Sequence, residues 1–140
     1  MILKWTPNLS VQVLDVDRQH IELFKRTNSF IAAVMSGHGQ DEVEKMLDFL
    51  EAYVVDHFAF EEKLMQESGY PEFPAHKEEH ARFIADFEEF KKAFDYKSDS
   101  QLLVDQINER ISAWWMKHIA VTDRAMGLYV KENRPKKTPA

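Results

Sequence analysis

Five histidines and two carboxylates in this chain recur at spacings that suit metal ligation. His57 and Glu61 are four residues apart, as are His76 and His80. On a helix turning about 100° per residue, that separation leaves two side chains about 40° apart, one turn apart on one face. His118 precedes Asp123 by five residues. In a regular helix five residues give an offset of about 140°, so the two reach one centre only through a loosened turn or π-bulge, a feature often found at functional sites. A lone histidine on an apolar stripe is more often a hydrogen-bonded core residue than a ligand. Glu61 is harder to explain that way. A buried carboxylate is costly unless paired or metal-bound, and no Lys or Arg occupies the neighbouring stripe positions. Imidazole with carboxylate suits iron, zinc, copper or manganese. Seven candidate ligands exceed one tetrahedral zinc site, and two carboxylates able to bridge suggest a dinuclear centre. Ferritin-like di-iron proteins use Glu-x-x-His motifs, but no histidine here has Glu three residues before it. Nitrogen-rich ligation remains.

These residues need helices to position them. Residues 1–16, with Pro7, Asn8 and β-branched side chains, read as a non-helical arm. A first helix is expected from near Asp17, a good N-cap, to the Ser36-Gly37-His38-Gly39 breaker. A second is expected from Asp41, with Glu44 completing a capping box, to about Gln66 before Ser68-Gly69-Tyr70-Pro71. A third is expected from near Pro74, which suits a first helical turn, to near Tyr96. Ser98 with Gln101 reads as another capping box, and a fourth helix is expected from about Asp99 to about Lys131. Residues 17–131 then form an all-α, up-down-up-down antiparallel four-helix bundle. Residues 132–140, with Arg134-Pro135 and a lysine-rich end, read as a solvated tail.

The apolar stripes carry the histidines. They run His20, Phe24, Thr27, Ile31, Met35; then Val43, Leu47, Leu50, Val54, His57, Phe58, Glu61. The third and fourth run His76, His80, Phe83, Phe87, Phe90, Phe94, and Leu103, Ile107, Ile111, Trp114, His118. His20, His76 and His80 open their helices, whereas His57 and His118 come late in theirs. In an antiparallel bundle all of these fall at one end. The phenylalanine stripe reads as plain core, Glu62, Glu78 and Glu79 as solvated faces, and His38 as a loop residue.

The bulk properties narrow the function. The chain has 140 residues and a formal charge of −6 with neutral histidines. That length suggests one domain, and the charge argues against nucleic-acid or anionic-membrane binding. No segment reads as a membrane span or a secretory signal. The absence of cysteine excludes disulfides, thiolate zinc sites and iron–sulfur clusters. A cytoplasmic location is expected.

Trp5, Val16-Asp17-x-x-His20, Asn28, His57-Phe58-x-x-Glu61-Glu62-x-x-Met65, Tyr70, His76-x-x-x-His80-x-x-Phe83 and Trp114-x-x-x-His118-Ile119-x-x-x-Asp123 resemble the hemerythrin family in its single-domain bacterial form. The resemblance spans about residues 5–130. It implies two iron ions with an oxo or hydroxo bridge. His76, His80 and His118 would hold one iron and His20 and His57 the other, with Glu61 and Asp123 bridging. It further implies reversible dioxygen binding at an open position on the second iron, serving storage, delivery or scavenging rather than catalysis. A sensor module, or a di-iron enzyme with peroxidase or nitric oxide-handling activity, is the alternative. Leu23, Phe24, Phe58, Trp114, Trp115 and Ile119 align with the family's oxygen-pocket lining. Leu23 stands where Ile is frequent and Trp115 where Leu is common, and the indole's bulk bears on oxygen access.

Overall fold

The computed structural model describes residues 3–133. Four long helical rods make an antiparallel bundle. The first three are α1 (Leu14–Met35), α2 (Gln40–Ser68) and α3 (Phe73–Ala93). The fourth rod is compound: α4 (Ser100–Ile107), a π-helical segment (Asn108–Ser112), α5 (Ala113–Lys117), a second π segment (His118–Asp123) and α6 (Arg124–Asn133). Each rod packs against the next and the fourth returns to the first, with α6 also reaching α2. Among the described residues no helix is long and apolar enough to cross a membrane.

The helix ends show where local signals were overridden. α1 begins at Leu14, three residues before Asp17, with extended Val13 as its N-cap residue. Asp17 does not cap it. Its carboxylate instead accepts from Val11 N at 2.9 Å and from Ser10 Oγ at 2.6 Å, fastening the arm to the first turn. α2 starts after Gly39, so Asp41 lies inside the first turn, where its charge suits the helix dipole, and no Asp41–Glu44 capping box forms. α2 continues to Ser68 and ends on Gly69 at φ 67°, with Tyr70 N bonded to Met65 O at 2.9 Å, a Schellman-type stop. α3 stops at Ala93, short of Tyr96. Asp99, not Ser98, caps α4 by accepting from Leu102 N, and Gln101 turns to Asp105 instead. The fourth rod passes Lys131 and reaches Asn133, so only the part of the expected tail from Arg134 onward lies outside the described residues.

The stripes are inward-facing with two exceptions. Met35 is exposed and Val34 is buried in its place. On the fourth rod Trp115 is fully buried, while Trp114 is only partly so. The buried face there reads Ile107, Ile111, Trp115, Ile119, Asp123, a strict four-residue repeat. In a regular α-helix sixteen residues at that repeat would drift by about 160°. The two wider π turns absorb the drift and keep all five residues pointing inward.

Two apolar clusters result. The larger fills the bundle from Leu23 and Phe58 through the phenylalanines of α3. The smaller joins Val11, Val13 and Val16 to Leu64, Met65, Met126 and Val130. Between them, along the chain of α1, α2 and the fourth rod, stand His20, Glu61 and Asp123. The arm closes this end. It contains a short 3-10 turn (Pro7–Leu9), its Leu3 backbone is gripped by the Asn28 amide at 2.9 and 2.7 Å, and Arg124 bonds to Asn8 O. It crosses α6 at Gly127, where a β-carbon would meet Val11 O at 2.1 Å.

That crossing is testable. Gly127→Ala must move backbone, and overpacking of this kind costs about 1–3 kcal/mol. A fall in Tm of roughly 3–10 °C is expected. Gly39→Ala, which has nothing within 4 Å and an ordinary φ of −62°, gives up only an N-cap preference of roughly 0.5–1 kcal/mol and should lower Tm by less. Equal melting of both variants would contradict the close crossing.

Candidate metal centre

All seven sequence-selected residues come together between the two apolar clusters. His20 lies on α1, His57 and Glu61 on α2, His76 and His80 on α3, and His118 and Asp123 at the two ends of the second π segment. Each is at most 2% exposed. The irregular turn demanded by the five-residue spacing is present, and it is π-helical throughout residues 118–123.

The two carboxylates sort the histidines into two groups. Glu61 Oε1 lies 3.5 Å from His76 Nε2 and 3.1 Å from His80 Nε2, while Asp123 Oδ1 lies 3.0 Å from His76 Nε2 and 3.1 Å from His118 Nε2. The other oxygens face the other way. Glu61 Oε2 lies 3.5 Å from His20 and 3.2 Å from His57, and Asp123 Oδ2 lies 3.0 Å from His20. Each carboxylate thus turns one oxygen toward the group His76, His80 and His118 and the other toward the group His20 and His57. Two overlapping ligand sets follow, Glu61, His76, His80, His118 and Asp123 on one side, and His20, His57, Glu61 and Asp123 on the other. The donor atoms of each set lie within 4.8 Å of one another.

A metal pair fits this donor set. The five Nε2 atoms and four carboxylate oxygens are buried, yet none has a hydrogen-bond partner. Unpaired buried polar atoms are costly, and nine in one layer are explained by cations that they ligate. Three of the imidazoles are oriented for this by bonds at Nδ1. His57 faces Gln19 Oε1 at 2.6 Å, His80 faces Glu62 Oε2 at 3.0 Å, and His118 faces Glu79 Oε1 at 2.7 Å. With the proton held at Nδ1, the Nε2 lone pair points into the centre. Glu79 is itself positioned by Thr122 Oγ1 at 3.1 Å.

Glu62 and Glu79 therefore correct the expectation of solvated faces, whereas Glu78 remains on the surface, paired with Arg82. The signal that would have found them is chemical. A ligating imidazole needs an acceptor for its second nitrogen, and an acidic residue next to a ligand on a facing helix can supply one. Periodicity carries no such information.

Charge in the metal-free layer is self-compensating. Burial would depress the histidines, but the Asp123 and Glu61 carboxylates close beside them outweigh it, lifting His20 and His76 to about 9. Burial also opposes protonation of His118, yet the adjacent Asp123 carboxylate carries it to about 10. Burial would raise Glu61, but the imidazoles of His57, His20 and His76 close around it hold it well below the usual carboxylate range. Asp123 is likewise depressed, because His118 and His20 outweigh burial and repulsion from Glu61. Glu79 is lowered by its bond to His118.

The surrounding wall is aromatic. Phe58 stacks on His80 with centroids 3.8 Å apart, and Trp114 stacks on His118 at 4.3 Å. Trp115 turns inward, its ring 6.4 Å from His20 and 5.9 Å from His57. Leu23, Phe24 and Ile119 are buried in the larger apolar cluster that continues from this wall.

Residues 13–127 match the family model described as the hemerythrin HHE cation binding domain. A bacteriohemerythrin of Stenotrophomonas maltophilia (strain R551-3) is 32% identical over 130 residues, covering 93% of this chain and 82% of that protein. A bacteriohemerythrin of Methylococcus capsulatus (strain ATCC 33009 / NCIMB 11132 / Bath) is 32% identical over 128 residues, covering 90% and 95%. A wild-type hemerythrin crystal structure matches with a TM-score of 0.78 and 29% identity, over 93% of this chain and 98% of that one.

Two measurements test the centre. Removal of the Glu79 carboxylate in Glu79→Ala should weaken metal on the three-histidine side by about 10–100-fold, seen by chelator competition, with His38→Ala as an unaffected control. The metal-free protein should also show a characteristic pH dependence. Histidines raised in the folded state stabilise it fully below about 6.5, and that contribution is lost as pH climbs through about 9 to 10. The depressed carboxylates stabilise it above their ordinary values of 4.5 and 3.8, and lose that contribution as pH falls. Melting of the metal-free protein should therefore peak between about pH 5 and 6.5 and decline toward pH 9.5. A metal-free profile that is flat from pH 6 to 9.5 would contradict the charge pairing.

Proposed function

Because this chain belongs to the hemerythrin family, we propose that it binds dioxygen reversibly at two iron ions held by His20, His57, Glu61, His76, His80, His118 and Asp123. The observation that carries this reading is the division of the carboxylate oxygens, one of each pair toward the group His76, His80 and His118 and one toward the group His20 and His57. His76, His80 and His118 would hold one ion and His20 and His57 the other, with Glu61 and Asp123 shared between the two sides. When bound, the iron pair would supply the electrons that dioxygen binding needs, and the two-histidine side, with one protein donor fewer, would be where the ligand is accommodated.

The chain's own residues make the binding reversible. Trp115 packs against His20 and His57, and Phe58 and Phe83 back its ring in stacked and edge contacts with centroids 5.5 Å away, an apolar wall that would exclude water and the protons it delivers. Leu23, Phe24, Trp114 and Ile119 complete the proposed pocket. The bonds from Gln19, Glu62 and Glu79 keep three imidazoles in one tautomer and orientation. Apart from the ligands, the buried polar residues among those described are Thr27, Ser68 and Ser112. Thr27 Oγ1 is committed to Leu23 O.

Metal analysis should give two irons per chain. The diferrous protein, prepared without air, should colour on oxygen addition and return to colourless on purging. Immediate one-way oxidation would overturn reversible binding. Trp115 fills the space beside the open position, so Trp115→Leu should speed oxygen entry in stopped-flow measurements by about tenfold, an effect of about 1.4 kcal/mol on the barrier. Iron content should be unchanged. Identical entry rates in the two proteins would remove Trp115 as the obstruction.

A further inference from the structure

Trp115 does more than occupy space. It is fully buried, and its indole Nε1 has no hydrogen-bond partner. An unpaired buried N–H is costly, and native structures retain few of them. The ring lies against His20 and His57, the two imidazoles of the side with fewer protein donors. Its other ring neighbours are Phe58, Phe83, Trp114 and His118. None of these supplies an acceptor. Phenylalanine rings have no polar atom, and Trp114 can only donate. His118 Nδ1 is committed to Glu79 and His57 Nδ1 to Gln19. His20 Nδ1 is also unpaired, but it carries the proton once Nε2 is committed to a metal, so it is a second donor rather than an acceptor.

We propose that the Trp115 indole N–H donates a hydrogen bond to the exogenous ligand at the two-histidine side, and so selects ligands with an accepting, preferably anionic, terminal atom. The inference rests on the di-iron reading of the site and adds a positioning residue to it. A wall of leucine or phenylalanine would only exclude water. An indole in the same place excludes water and also offers one fixed donor. Hydrogen bonds with an ionised partner are about twice as strong as neutral ones, so the donor discriminates between anions and neutral ligands of the same size. The four-residue repeat on the fourth rod aims position 115, rather than 114, at this side.

Azide is a suitable probe, being a small linear anion with an accepting terminal nitrogen. The test compares diferric wild type with Trp115→Phe, which keeps an aromatic ring and removes the donor. Azide affinity, read by optical titration, should fall by about 5- to 30-fold in the variant. The azide stretching band in the infrared should shift between H2O and D2O in the wild type, with metal loaded in each solvent, and should lose that shift in Trp115→Phe. No isotope shift in the wild type would overturn the hydrogen bond without reference to any variant, which covers the case of a poorly folded Trp115→Phe. Two irons bound with equal azide affinity and equal bands in both proteins would overturn it while leaving the di-iron reading intact. A wild type holding fewer than two irons would overturn both.

Discussion

The structure turns on two buried carboxylates set among five buried imidazoles. An isolated charge in this interior would be prohibitive. Glu61 and Asp123 are fully buried, and among the described residues no Lys or Arg pairs with either of them. They persist because each is surrounded by histidines from its own and neighbouring helices, and each places its two oxygens toward different histidine groups. That requirement governs much else. All four rods must contribute at one level, so the rods must be antiparallel with their histidines at alternating ends. The layer must be dry, so apolar clusters close it on both sides. The arm, with Val11 and Val13, completes the smaller of those clusters, which gives an irregular segment a place in the architecture of the centre.

The fourth rod shows how backbone yields to chemistry. Regular helix would carry Asp123 away from His118, and would carry Trp115 away from Ile107. Two π segments correct the drift. The one over residues 118–123 was legible beforehand, because two metal-ligand side chains five residues apart have no other way to meet. The one over residues 108–112 was not, because apolar side chains state no such exact demand. Ile107, Ile111, Trp114 and His118 satisfied the spacing of three and four expected of an ordinary helix. The true face steps by four throughout, and that step is meaningful only once the π turns are known.

The same distinction separates what was legible elsewhere. The seven clustered residues could be read because a buried polar residue on an apolar stripe is anomalous and so informative. The bundle could be read because four apolar stripes with short connections admit few arrangements. Helix starts were less legible. Asp17 has the chemistry of an N-cap, but its carboxylate was claimed by Ser10 and Val11 of the arm, a contact that local propensity cannot weigh. Ser98 lost its capping role to Asp99 one residue away, where both choices satisfy the same local rule. Glu62 and Glu79 were hidden for another reason. Each lies next to a ligand in sequence, on the side of the helix that ordinarily faces solvent, and only the facing helix shows that its target is an imidazole.

Those carboxylates also make the two halves of the centre unlike. His80 and His118 are each bonded to a carboxylate, Glu62 and Glu79, whereas His57 is bonded to the neutral amide of Gln19. A carboxylate behind an imidazole raises its basicity as a ligand. The three-histidine side therefore gathers both the larger number of donors and the more strongly donating ones. The two-histidine side has fewer donors, a neutral support and the inward indole of Trp115. Glu62 and Glu79 are also partly exposed, at 23% and 40% of their side chains, so the three-histidine side touches solvent through its supporting residues. The two-histidine side is supported by the half-buried Gln19 and faces the buried Trp115 ring. The two halves of the cluster thus differ in donor number, in the charge of the groups behind their imidazoles and in the ring each faces, an asymmetry that a pair of equivalent sites would not need.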